Sequence, residues 1–107
     1  MLSIILEFDV LDGKDDEFIA AWTECTEVIY KNFGSLGSRL HKSENGSYVA
    51  YAQWPNETIY NNSSEWPASL IKYRDKMRTL LKNGRPRVLH KLKVEVDLLK
   101  NATHNNA

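Results

Sequence analysis

The sequence predicts an α+β fold, a ferredoxin-like sandwich of element order βαββαβ. Three observations carry it. Apolar and polar residues alternate near both ends of the chain, two stretches repeat apolar residues at helical spacing, and a pair of alternating segments around Asn45-Gly46 lies between those stretches. Two split strand-helix-strand units in this order give a four-stranded antiparallel sheet with both helices on one face.

The first strand is expected over 3–11, where Ile4, Leu6, Phe8 and Val10 alternate with Ser3, Glu7 and Asp9, and only Ile5 interrupts the polar side. Asp12 is expected to cap the first helix, whose opening turn carries Asp15, Asp16 and Glu17 and whose far end carries Lys31 and Gly34. Phe18, Trp22, Cys25, Ile29 and Phe33 form its apolar stripe. Cys25 on that stripe reads as a small buried hydrophobe, since no adjacent base would activate it. Strands over 35–43 and 47–54 follow, joined by Glu44-Asn45-Gly46, whose Asn-Gly pair supplies the positive backbone angles of a tight hairpin. Asn56 starts a short helical turn through Tyr60. The second main helix is expected over 67–82, with Pro67 in its first turn and Asn83-Gly84-Arg85-Pro86 as its stop. The last strand is expected over 88–98, with Val88, His90, Leu92, Val94, Val96 and Leu98 on one face. One domain, 1–99, and a polar C-terminal tail, 100–107, account for the chain.

Composition narrows the function. The 107 residues hold 14 Lys plus Arg against 14 Asp plus Glu, so nothing draws the chain to nucleic acid or to an anionic membrane. Neither a membrane span nor a signal-peptide pattern is visible, and the single cysteine excludes an internal disulfide, which together imply a cytoplasmic home. His41, His90 and His104 are too dispersed to make a metal site.

The second main helix carries the one anomaly. Leu70, Arg74, Met77 and Leu81 fall on one face, so a permanent charge stands in an apolar row. Such a guanidinium reaches water, meets a carboxylate in a filled core, or lines a cavity that takes a ligand. Small Ala50 and Ala52 beside large Trp54 leave room for a slot between sheet and helices, bounded by Leu6, Phe8, Trp22 and Leu70, with His90 as a possible neighbour. Trp54 and Tyr60 read either as core aromatics or as the wall of that slot. The uncovered sheet face carries Ile5, Glu7, Arg39, His41, Tyr51, Leu89 and Lys91, a mixture suited to solvent or to a second copy about a two-fold axis.

Tyr51-Ala52-Gln53-Trp54, the strand entry Gly34-Ser35-Leu36-Gly37 and the helix start Asp12-Gly13-Lys14 resemble the antibiotic biosynthesis monooxygenase family, in particular its actinorhodin-type anthrone monooxygenases. The resemblance runs over 3–98. It implies a dimeric α/β barrel, a homodimer joined through the open sheet faces, and a pocket for a small aromatic molecule. It further implies oxidation of a quinol-like compound by oxygen without metal, flavin or other cofactor, with Trp54, Tyr60 and Arg74 at the reacting centre. The family's haem-degrading members carry a histidine on the second main helix, and 67–82 has none. One position departs from the anthrone pattern. The asparagine four residues before the tryptophan is Ala50 here, which leaves a second expectation open, a non-catalytic homodimer that binds a hydrophobic metabolite.

Overall fold

The computed structural model describes residues 1–99, so the tail at 100–107 lies outside the described residues. The order is β1 (Leu2–Phe8), α1 (Asp15–Asn32), β2 (Gly37–Lys42), β3 (Tyr48–Trp54), α2 (Glu57–Asn62), α3 (Ile71–Arg78) and β4 (Arg87–Lys93). The strands form one antiparallel sheet in the order β2-β3-β1-β4, the ferredoxin-like arrangement expected from the sequence, with a third, short helix added.

Period-two alternation fixes which side of the sheet is covered. Ile4, Phe8, Tyr48, Ala50, Ala52 and Trp54 are all buried; Phe8, Tyr48 and Ala50 cluster with Phe18, Ala21 and Cys25 of α1 and Met77 of α3, while Ile4, Ala52 and Trp54 form a second cluster with Leu2, covered by Ile29 of α1 and by Ile59 and Tyr60 of α2. Tyr48 also anchors the start of α1, its hydroxyl donating to Asp15 Oδ2 at 2.8 Å. On the other side Ser3 donates to the Tyr51 hydroxyl at 3.3 Å, and Gln53 Nε2 donates to it at 2.8 Å.

Several boundaries differ from the sequence expectation, each for a local reason. Asp12 does not cap α1. Gly13, at φ +77°, turns the chain first, Lys14 holds the cap position, and the Asp12 carboxylate lies 3.7 Å from Lys82 Nζ. In the β2-β3 hairpin only Gly46 has a positive φ, +94°. Asn45 instead uses its side-chain oxygen to accept from the Ser47 N–H at 3.1 Å, an Asx-type closure of a longer loop. The second main helix is shorter than 67–82 at both ends. Its first turn begins only at Ile71, and beyond Arg78 the chain leaves helical geometry to pair with the continuation of β1. Lys82 N–H donates to Asp9 at 2.8 Å, Leu11 N–H donates to Leu80 at 2.9 Å, and Val10 bridges Leu81.

β4 shows the largest departure. It pairs with β1 from Lys93 opposite Leu2 to His90 opposite Ile5, but Leu6 then faces Val88, leaving Leu89 as an unpaired extra residue. Because side chains alternate, one inserted residue exchanges the faces on either side of it. His90 and Leu92 therefore share the open face with Ile5 and Ser3, against the expectation that they face the helices. Lys91 takes the helix side and pairs with Glu57 at the start of α2. The strand also ends at Lys93 rather than 98, with the Val94 N–H donating to Met1 at 3.0 Å.

Candidate functional site

Between the sheet and the helices lies a cavity of about 590 Å3. Its floor comes from alternate residues of β1 and β3, including Leu6, Phe8, Ala50 and Ala52. The two alanines bring only a methyl group each, so the sheet does not fill the space beneath the helices. Trp22, Cys25 and Ile29 of α1 supply one wall, at the three- and four-residue spacing that puts them on one face.

Trp54 and Tyr60, at the end of β3 and on α2, line the cavity together, their rings edge to face with centroids 5.6 Å apart. Two local features hold Tyr60 there. The Asn56 side chain caps α2 by accepting from the Ile59 N–H at 2.9 Å, and Gly34 lets α2 approach, since a Cβ at that glycine would lie 3.0 Å from Ile59 Cγ2.

Arg74 lines the cavity from α3. Its side chain is 24% exposed and meets one carboxylate, that of Asp75, through Nε at 3.3 Å and a terminal nitrogen at 3.2 Å; Asp75 itself stands in solvent at 58%. The guanidinium is thus half-buried, partnered on its outer edge, and beside an open space. The carboxylate that meets Arg74 is thus not in a filled core, and the pair and the cavity occur side by side.

Two expected lining residues are elsewhere. Leu70 is the cap residue before the first turn of α3 and does not line the cavity. His90 is turned away by the bulge at Leu89, and Val88 takes the position on the cavity side. Two functional candidates were missed. Arg78 and Arg85 join Arg74 in the lining. The four-residue step from Arg74 to Arg78 was a legible signal for the first. Arg85 comes from a loop and left none.

The electrostatics are one-sided. Among the described residues no aspartate, glutamate or histidine lines the cavity, whereas three arginines do. Burial lowers the pKa of Arg78, followed by the proximity of Arg74 and Arg85, and its Nε is buried without a hydrogen-bond partner. Burial also pushes the Cys25 thiol up to about 11, against a partial offset from Arg78 and Arg74. A thiol raised from 9.0 to about 11 holds about a hundredfold less thiolate at neutral pH. Native protein is therefore expected to react with iodoacetamide at pH 8 about a hundredfold more slowly than urea-unfolded protein. Equal rates would show Cys25 to be accessible and ionised.

Among the described residues no group of three His, Cys, Asp or Glu side chains could hold a metal ion, and no helix is long and apolar enough to cross a membrane.

No protein-family model matches the chain, and no curated protein does. Solved structures match over nearly its whole length. A single-residue variant of SnoaB, a cofactor-independent oxygenase from Streptomyces nogalater, superposes with a TM-score of 0.73 at 17% identity, covering 92% of this chain and 97% of that one. A candidate antibiotic biosynthesis monooxygenase from Bordetella bronchiseptica gives 0.74 at 18% identity over 89% and 97%. Another antibiotic biosynthesis monooxygenase gives 0.70 at 13% over 90% and 100%. The chain has the fold of these proteins.

Proposed function

We propose that this protein belongs functionally with the antibiotic biosynthesis monooxygenases and oxidises a small aromatic, quinol-like compound with molecular oxygen, without a cofactor, in the cavity between sheet and helices. The observation that carries this reading is Arg74 at the edge of a largely apolar cavity whose wall includes Trp54 and Tyr60. SnoaB, a cofactor-independent oxygenase, supports it by likeness of fold.

The chemistry asks little of the protein beyond placement and charge. A phenol or an anthrone-type methylene loses a proton to water, and the resulting anion is a reductant able to give one electron to oxygen. Recombination forms a carbon-oxygen bond and a peroxide. The oxygen-oxygen bond then breaks as the hydrogen that remains on that carbon leaves as a proton, and with the proton released at the start this gives a carbonyl and one water. Arg74 favours the anion, because a fixed cation beside the bound phenol stabilises the charged form and so lowers its pKa. Trp54 and Tyr60 orient a flat ring, and the hydroxyl of Tyr60 can hydrogen-bond to the oxyanion.

Oxygen uptake by chelator-treated protein with a panel of anthrones and of phenols unsubstituted opposite the hydroxyl is the test, and one oxygen molecule consumed per oxygen atom gained by the product is the expected result. A non-catalytic binding protein is the second reading, favoured by Ala50, a 2% exposed methyl at the position where the resemblance expects an asparagine. Tight binding with no uptake across the panel supports that reading instead.

The active form on this reading is a homodimer joined through the open sheet face. Leu89 and Leu92 are exposed there at 42% and 46%, beside Ile5 and Tyr51, apolar area that pairing with a second copy would remove from water. Sedimentation equilibrium is expected to give twice the 12.3 kDa chain mass, and Leu92→Asp to shift it to the monomer. A monomer at all concentrations in the unmodified protein contradicts the dimer.

A further inference from the structure

We propose that Arg78 and Arg85 form an anion subsite in this cavity, and that the molecule it takes is an aromatic hydroxy acid, its carboxylate on these two arginines and its hydroxyl towards Arg74. The proposal rests on the reading of the cavity as a site for a flat aromatic molecule, and is independent of whether oxygen reacts there.

Charge count comes first. The chain as a whole is balanced, 14 cationic against 14 anionic side chains, yet among the described residues the cavity lining holds three guanidiniums and no carboxylate. Only Arg74 is neutralised, by Asp75. Among the described residues neither Arg78 nor Arg85 has a carboxylate within ion-pair distance, although Lys14, Lys42, Lys76, Lys82, Lys91 and Lys93 all do. Among those residues the exposed Lys31, Arg39 and Lys72 also lack a carboxylate at that distance, but they stand in water, whereas Arg78 is partly buried beside the cavity.

The second observation is the Arg78 Nε, buried without a hydrogen-bond partner. Buried donors on charged groups are rarely left so, because desolvation is then uncompensated. Nε and the adjacent terminal nitrogen form the two-pronged edge with which a guanidinium grips both oxygens of a carboxylate, so the open donor is half of a carboxylate receptor. Burial and the two neighbouring arginines already disfavour the charged state of Arg78, and an arriving anion relieves both.

The fold explains why the three meet. Arg74 and Arg78 stand one turn apart on α3. After that helix the bridge from Val10 to Leu81 and the bond from Lys82 to Asp9 fold the chain back, and Arg85 returns to the lining. At about 590 Å3 the cavity has room for two or three fused rings.

Tryptophan fluorescence reads binding directly, because Trp22, Trp54 and Trp66 all line the cavity. Anaerobic titrations would compare three probes: a hydroxynaphthoate with its two groups at opposite ends of the rings, the matching naphthol, and the matching hydroxynaphthalenesulfonate. The native protein is expected to bind the hydroxynaphthoate at least about tenfold more tightly than the naphthol, and more tightly than the sulfonate. Arg78→Gln and Arg85→Gln should each lose about fivefold or more of the hydroxynaphthoate affinity, with naphthol affinity unchanged. Arg78→Lys keeps the charge without the fork and should recover part of the loss, which separates a binding defect from a folding one. Equal affinity for hydroxynaphthoate and naphthol in the native protein overturns the subsite, as do variants that weaken both alike. Preference for the sulfonate overturns the carboxylate assignment. A protein that prefers the hydroxynaphthoate but consumes no oxygen with any substrate contradicts the oxygenase reading alone. One that turns over neutral phenols without the preference contradicts the subsite alone.

Discussion

Arg74→Ala is expected to lower oxygen-dependent kcat/KM by about a hundredfold to a thousandfold, the usual cost of deleting one preorganised donor to a developing oxyanion. The fold should not change, because among the described residues the only carboxylate bound by Arg74 is the solvent-exposed Asp75, and exposed pairs of this kind contribute about 1 kcal/mol or less. That contrast gives the prediction its force. Loss of turnover with an unchanged urea midpoint locates the effect in the cavity. Arg74→Lys should recover part of the rate, since it keeps a cation but loses the planar fork. An alanine variant as active as the parent removes the role assigned to Arg74.

Phe18→Ala is expected to cost about 3–5 kcal/mol of folding stability, a large part of the 5–15 kcal/mol typical of a domain this size. Phe18 is 0% exposed and joins α1 to the sheet, its ring 5.3 Å from Phe8 and 5.2 Å from Tyr48 between centroids. Truncation removes that contact and leaves a void, because the strand backbones of Phe8 and Tyr48 are held in register and cannot collapse into it. Urea unfolding followed by circular dichroism measures the loss. A change under about 1 kcal/mol would mean that α1 does not pack as described.

The parts of this structure legible in the sequence are those set by local pattern. Alternation in Ile4, Leu6 and Phe8, and in Tyr48, Ala50, Ala52 and Trp54, defines the faces of β1 and β3, and the stripe through Phe18, Ala21 and Cys25 defines that of α1. The alanines beside Trp54 marked the space, and Arg74 marked its charge. The parts not legible depend on pairing between distant segments. α3 stops early because the chain at 80–82 bonds to 9–11, which no propensity in 78–82 announces. His90 was misplaced because the bulge at Leu89 carries no glycine or other sign of an extra residue, and without it the alternation from Val88 onward reads cleanly. Leu70 was misplaced by extending helical phase back to Pro67, beyond the first turn that forms. Arg85 was missed because a loop residue has no period to place it.

The most direct measurement is the fate of isotopically heavy oxygen gas during turnover of an anthrone by chelator-treated protein. One heavy atom in the new carbonyl group and the other in water is the expected distribution. Product whose new oxygen is entirely light, or release of both heavy atoms as hydrogen peroxide, contradicts oxygen transfer in the cavity beside Arg74.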